Sequence, residues 1–355
     1  MTEIHASGEF GGRVADHSTS LREWLGVGPF SLSMAPGFFC FFAHVGALRA
    51  ISECVTLDKG TVVALSGCSA GALTAAFVAA GVPPDLMEEE LLRLEARDIC
   101  DPGPGLLSLL RGEAIQSALK DRLGKVGVDS FSDFNIPTGV TAFNPLRLRT
   151  ETICSGDAVK AVVASASVPL LFPPVRVDGS LLVDGAFGDP SGVRGLPAVA
   201  PSGRILQISF GWWSTASPES FPPHLVESLP QGARGLDVLN LRLPDLPQVW
   251  GPLDLARGAT VLRLAYEAVR GALDEPVRRQ RSRNGCSALV IARHSNRKRP
   301  RNSPNSTDCE DAPPSSSIGV EAEDEDEDVP SSTRKRARRR SGGLTRRGRS
   351  ARGPW

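Results

Sequence analysis

The chain has 355 residues, with 40 Lys and Arg against 40 Asp and Glu, and 41% hydrophobic residues, enough for a sizeable core in one large domain or two small ones. That neutrality is unevenly built: 15 basic and 10 acidic residues lie from Arg293 onward, leaving 25 basic and 30 acidic before it. The acidic balance of residues 1–292 argues against a nucleic-acid-binding role for the folded part.

In chain order, residues 1–25 are largely polar and glycine-rich and read as a disordered N-terminal segment. Their start, Met1-Thr2-Glu3-Ile4-His5, lacks the basic-then-apolar order of a signal peptide. Ser31–Met34 reads as a first strand, and Phe38–Ile51 as a buried helix, being apolar nearly all round. Thr61–Leu65 is a short β-branched and apolar run, a buried parallel strand. Ala72–Ala80 is small and helix-prone and stops at Gly81-Val82-Pro83-Pro84. Glu88–Arg97 and Gly112–Leu123 read as helices separated by an Asp101–Gly105 loop. Strands follow at Thr138–Phe143 and Glu151–Cys154, then a helix at Asp157–Ala166. Val175–Val177 and Leu181–Val183 flank Asp178-Gly179, a hairpin signal. Ile205–Phe210 is a strong strand, whereas 212–253, rich in Pro and Gly, gives no clear element. Leu255–Leu273 reads as an amphipathic helix and Cys286–Ile291 as a late strand. This alternation predicts a three-layer α/β/α domain over 26–292 with a largely parallel central sheet. No run of about 18 apolar residues predicts a membrane span. The seven cysteines are scattered without a C-x-x-C pair, which fits neither a disulfide framework nor a zinc site and suits a reducing compartment.

Gly67-Cys68-Ser69-Ala70-Gly71 stands between a predicted strand and a predicted helix. In that setting G-x-S-x-G is a nucleophile elbow: the turn lifts the Ser69 hydroxyl out of the sheet, and Gly67 and Gly71 allow close backbone approach. The helix N-terminus beneath favours developing negative charge. A serine needs a base. Of the five histidines, His5, His17 and His294 lie in weak segments, His44 reads as a core residue, and His224 is the remaining triad candidate. Asp184, in Leu181-Leu182-Val183-Asp184-Gly185-Ala186, is the stronger candidate, although Asp-Gly is also an ordinary turn.

Upstream of Asp184 runs Ala164-Ser165-Ala166-Ser167-Val168-Pro169-Leu170-Leu171-Phe172-Pro173-Pro174-Val175. The elbow, this A-S-x-x-x-P-x-x-F-P-P-V block and the D-G-A turn, in this order, resemble the patatin-like phospholipase family over roughly residues 28–275. The resemblance implies a lipid acyl hydrolase with a Ser–Asp dyad, needing no metal or cofactor. Ser69 would be the nucleophile and Asp184 the general base. It also implies a glycine-rich oxyanion loop after the first strand. Here that loop is Pro36-Gly37-Phe38-Phe39-Cys40-Phe41; only Gly37 is a glycine, and Pro36 has no N–H. The amides of Gly37, Phe38 and Phe39, with that of Ala70, would form the hole. Most of the loop phenylalanines are expected in the core, with one or two near Gly37 lining an acyl channel. Trp212 and Trp213 are candidates either for packing or for touching lipid.

Residues 293–355 read as a disordered, low-complexity tail with two basic clusters, Arg297–Arg301 and Arg334–Arg340, around the acidic run Glu321–Asp328. Such clusters serve nuclear import through an importin, or draw a protein to an anionic membrane. Ser341, next to the second cluster, is a candidate phosphorylation site that would weaken such attraction. The expectation is a cytoplasmic serine hydrolase, peripheral to membranes or lipid droplets, acting on a lipid or phospholipid acyl ester. The alternative is a catalytically silent patatin-like module that binds lipid or protein.

Overall fold

The computed structural model describes residues 19–103, 108–199, 203–211, 236–282 and 285–293. Outside them fall His5, His17, His224, His294, Trp212, Trp213 and everything inferred about the tail.

The central sheet has eight strands: β1 Phe30–Met34, β2 Val62–Cys68, β3 Thr138–Asn144, β4 Arg149–Ile153, β7 Arg204–Phe210, β8 Leu236–Leu243, β9 Arg278–Ser282 and β10 Gly285–Ile291. Their order is β4-β3-β2-β1-β7-β8-β10-β9. The six central strands pair in parallel; only the edge pairs β3–β4 and β9–β10 are antiparallel. β5 Val175–Val177 and β6 Ser180–Leu182 form a separate hairpin. Its turn residues Asp178 (φ 45°) and Gly179 (φ 81°) both take the left-handed region, as a two-residue hairpin turn requires.

The helices are α1 Leu21–Gly26, α2 Phe41–Ser52, α3 Ala70–Ala79, α4 Pro84–Leu92, α5 Glu113–Lys125, α6 Ala158–Ser165 and α7 Ala256–Ala272. Alternate strand residues face opposite layers. Leu65, Leu206 and Leu239 enter the core that includes residues of α2, α3 and α7, whereas their neighbours Ala64, Ile205 and Val238 pack with Val193 and Leu196. The fold is therefore the expected three-layer α/β/α type.

Several boundaries differ from the sequence reading. Residues 21–25 are not part of a disordered segment but of α1. Ser20 and Glu23 cap it reciprocally, and Leu21, Trp24 and Leu25 are buried. Pro83-Pro84 ends one helix and also starts the next, because proline is favoured at the first helical position; α4 thus spans 84–92 rather than 88–97. β8 lies in the stretch that showed no clear element. Its polar residues mask the pattern, but Asn240 accepts from the Ser209 hydroxyl across the strand pair. Asp101, read as a loop residue, accepts from the amides of Arg111, Gly112, Glu113 and Ala114 and so caps α5 from twelve residues upstream.

Candidate active site

β2 ends in the turn that carries Ser69 into α3. Ser69 has φ 52° and ψ −120°, a conformation that L-residues rarely adopt. The two elbow glycines are required by close approach and not by their own dihedrals. A Cβ on Gly67 would overlap the Gly71 carbonyl, and one on Gly71 would overlap the Met34 carbonyl at the end of β1. That second contact brings the elbow against the strand that leads into the Pro36–Phe41 loop.

Asp184 follows β6. It is set beside β3 by reciprocal backbone bonds between Val183 and Phe143. The Ser69 Oγ donates to Asp184 Oδ2 at 2.7 Å, and the Ala186 amide donates to Oδ1 at 2.9 Å. Ser69 and Asp184 are both buried. Burial pushes the Asp184 carboxyl up to about 6, against the pull of the Ala186 amide and the Ser69 hydroxyl. The direct contact leaves no place for an imidazole between the two side chains.

The remaining site residues fall as follows. Phe39 has φ 55°, in the left-handed region that favours glycine. Among the described residues, no acceptor engages the amides of Phe38, Phe39 or Ala70. His44 is fully buried: its Nε2 lies 2.9 Å from the Ala35 carbonyl and its ring meets Phe210 edge-on. Burial lowers it to about 4, so it is neutral near pH 7. It ties α2 to the start of the Pro36–Phe41 loop.

Two residues that sequence reasoning left without a role hold the pair in register. The buried Ser165 Oγ accepts from the Ser69 amide at 2.8 Å and donates to the Thr141 carbonyl at 2.7 Å. Two residues on, the Ser167 carbonyl accepts the Asp184 amide at 2.9 Å. The C-terminal end of α6 and the residues just beyond it thus clamp both partners. The signal in the sequence was a pair of serines closing an apolar helix, which is equally consistent with a simple helix end. Ser165→Ala would leave the Ser69 amide buried and unpaired, so a loss of about 1–3 kcal/mol is expected, read as a lowered urea midpoint.

A cavity of about 280 Å³ lies between α2, α3, α4 and α5. Phe41, Val45, Thr74, Met87 and Leu119 line its inner part, and the exposed Leu86 and Val126 its mouth. Leu73 and Thr74 sit about one helical turn beyond Ser69. Phe41 packs on Phe39 at 5.4 Å between ring centroids. Phe39 and Phe42 are core residues, and Phe41 is the loop phenylalanine that reaches the cavity.

A strained serine on a strand–helix turn, bonded directly to a buried aspartate, defines the class: an α/β fold with a nucleophile elbow and a Ser–Asp pair. Residues 32–196, which include both partners, match the family model of patatin-like phospholipases. Two proteins, described as uncharacterized NTE family proteins of Mycobacterium bovis and Mycobacterium tuberculosis, are each 29% identical over 168 residues, 45% of this chain and 43% of theirs. The chain thus matches less than half the length of those curated relatives. Among solved structures, VipD from Legionella pneumophila is similar over 70% of this chain and 67% of its own, with 13% identity and a TM-score of 0.44. ExoU from the type III secretion system of Pseudomonas aeruginosa, in complex with SpcU, covers 70% and 52%, with 16% identity and a TM-score of 0.35.

Proposed function

We propose that this chain is a serine lipid acyl hydrolase working through a Ser69–Asp184 dyad. The observation that carries the reading is the 2.7 Å contact between the two side chains in a buried setting. Asp184 takes the proton as Ser69 Oγ attacks the ester carbonyl, the tetrahedral oxyanion is met by backbone amides of the Gly37–Phe39 loop and Ala70, and the alcohol leaves with a proton returned by Asp184. Water then enters, Asp184 takes its proton as the oxygen attacks the acyl-Ser69 ester, and that proton returns to Ser69 Oγ as the C–O bond breaks and the fatty acid leaves. The family match supports a lipid ester as substrate. The apolar cavity beside α3 supports an acyl chain as the recognised part. Phospholipids, lysophospholipids and acylglycerols are the candidate esters.

The silent-module alternative draws on Pro36 and on the scarcity of glycine in the oxyanion loop. A fluorophosphonate probe separates the two: covalent labelling at Ser69, located by peptide mass spectrometry, is expected of the hydrolase. No labelling, with no hydrolysis of short nitrophenyl esters or lysophospholipid, would leave the binding module. If the cavity holds the acyl chain, filling it with Ala118→Trp should lower the preference for a long-chain over a butyryl ester by roughly tenfold or more, as the loss of a few buried methylenes implies.

A further inference from the structure

Among the described residues, five non-glycine residues have positive φ, and two of them are exposed leucines. Leu148 (φ 50°) is 79% exposed and Leu170 (φ 69°) is 77% exposed. A left-handed backbone is unfavourable for a leucine, and so is an apolar side chain in solvent. Packing among the described residues compensates neither. Both residues lie in segments joined to the dyad through backbone pairing. Leu170 is three residues beyond Ser167, whose carbonyl holds Asp184, and its own carbonyl accepts the amide of the exposed Leu109. Leu148 and the exposed Leu146 sit in the β3–β4 turn, at the end of the sheet where β2 delivers Ser69. Exposed Phe187, three residues after Asp184, packs its ring 6.2 Å from that of Phe143, the residue paired with Val183.

The same end of the sheet carries Trp250 and Leu253, 68% and 96% exposed, in the segment after β8. Interleaved with the leucines are the exposed Arg147 and Arg149, which share the single carboxylate of Glu151. Apolar tips with flanking cations match the acyl boundary and headgroup layer of a bilayer that contains anionic lipid.

We propose that this rim docks on an anionic lipid surface, with Leu148, Leu170 and Phe187 inserted and Arg147 and Arg149 at the headgroups, so that Ser69 receives its ester from the bilayer. The proposal rests on the lipid-hydrolase reading for its choice of occupant, but its test needs no turnover. Flotation of the full chain with vesicles of equal parts phosphatidylcholine and phosphatidylserine is compared at low salt and at about 1 M, where charge attraction by any basic segment is screened to about 3 Å. The wild type should float in both. Leu148→Asn with Leu170→Asn relieves the backbone strain, since asparagine tolerates that region, and should cut partitioning at high salt by roughly tenfold or more while keeping short-ester turnover and holding or raising the urea midpoint. Phe187→Ser is the independent variant, with the same expectation for flotation. No flotation of the wild type at high salt, or equal flotation of both variants, would overturn the proposal. So would a concentration-dependent dimer in lipid-free light scattering that the asparagine pair abolishes, which would assign the rim to a second copy. Flotation without any ester hydrolysis would instead count against the dyad reading and leave the docking face standing.

Discussion

Ser69→Ala is expected to bring ester hydrolysis down to the background rate and to abolish fluorophosphonate labelling, because the proposed acyl intermediate forms on its hydroxyl. Asp184→Asn should lower kcat by about 10²–10⁴, the range over which a positioned general base contributes. The two losses should not add in the double variant, since the residues act as one unit. His224→Ala should leave the rate unchanged, which separates the dyad from a histidine triad. The decisive measurement is single-turnover and steady-state hydrolysis of a butyryl ester by the four variants beside wild type. Equal rates for wild type and Ser69→Ala would end the catalytic reading.

Activity and stability should respond to pH in opposite directions, both through Asp184. Burial raises its carboxyl from an ordinary 3.8 to about 6. The base must be ionised, so kcat/KM is expected to rise with an apparent pKa near 6. Folding works the other way. The native state holds this proton more tightly than the unfolded chain, so stability is fully present below about pH 4 and is lost as pH rises through about 6. A shift of this size corresponds to roughly 3 kcal/mol at neutral pH. Urea midpoints of wild type and Asp184→Asn across this range isolate the group: the variants should converge at low pH, and the asparagine form should be the more stable one above pH 7. The same ionised carboxylate that activates Ser69 is then one that the fold holds at a cost. A wild type that shows no relative loss between pH 4 and 7 would mean that water reaches Asp184 and that the carboxylate is solvated.

Much of the fold was legible because its signals are local. The run at 62–65 is apolar without alternation, which is what two-sided burial in a parallel sheet demands, and Ile205, Leu206, Ile208 and Phe210 mark the other strand although Gln207 and Ser209 interrupt it. The Asp178-Gly179 turn announced its own geometry. What stayed hidden depended on neighbours. β8 contains Asn240 and Arg242, which read as polar until adjacent strands pair with or cover them. α1 is a six-residue helix that its own sequence could not stabilise; it persists because Leu21, Trp24 and Leu25 are buried and Arg22 bonds Asp274 at the far end of α7.

By itself, the sequence determined the nucleophile elbow, the carboxylate turn and the class of sheet, since each is written in contiguous residues whose backbone preferences need no partner. Tertiary structure alone decided that Ser69 and Asp184, 115 residues apart, touch at 2.7 Å. It also decided that Ser165 and Ser167 hold them there, that burial raises the aspartate, and that two strained leucines face outward at the rim. Hydrogen bonds, desolvation and exposure are properties of what surrounds a residue, and chain folding supplies those surroundings from segments that the linear order keeps apart.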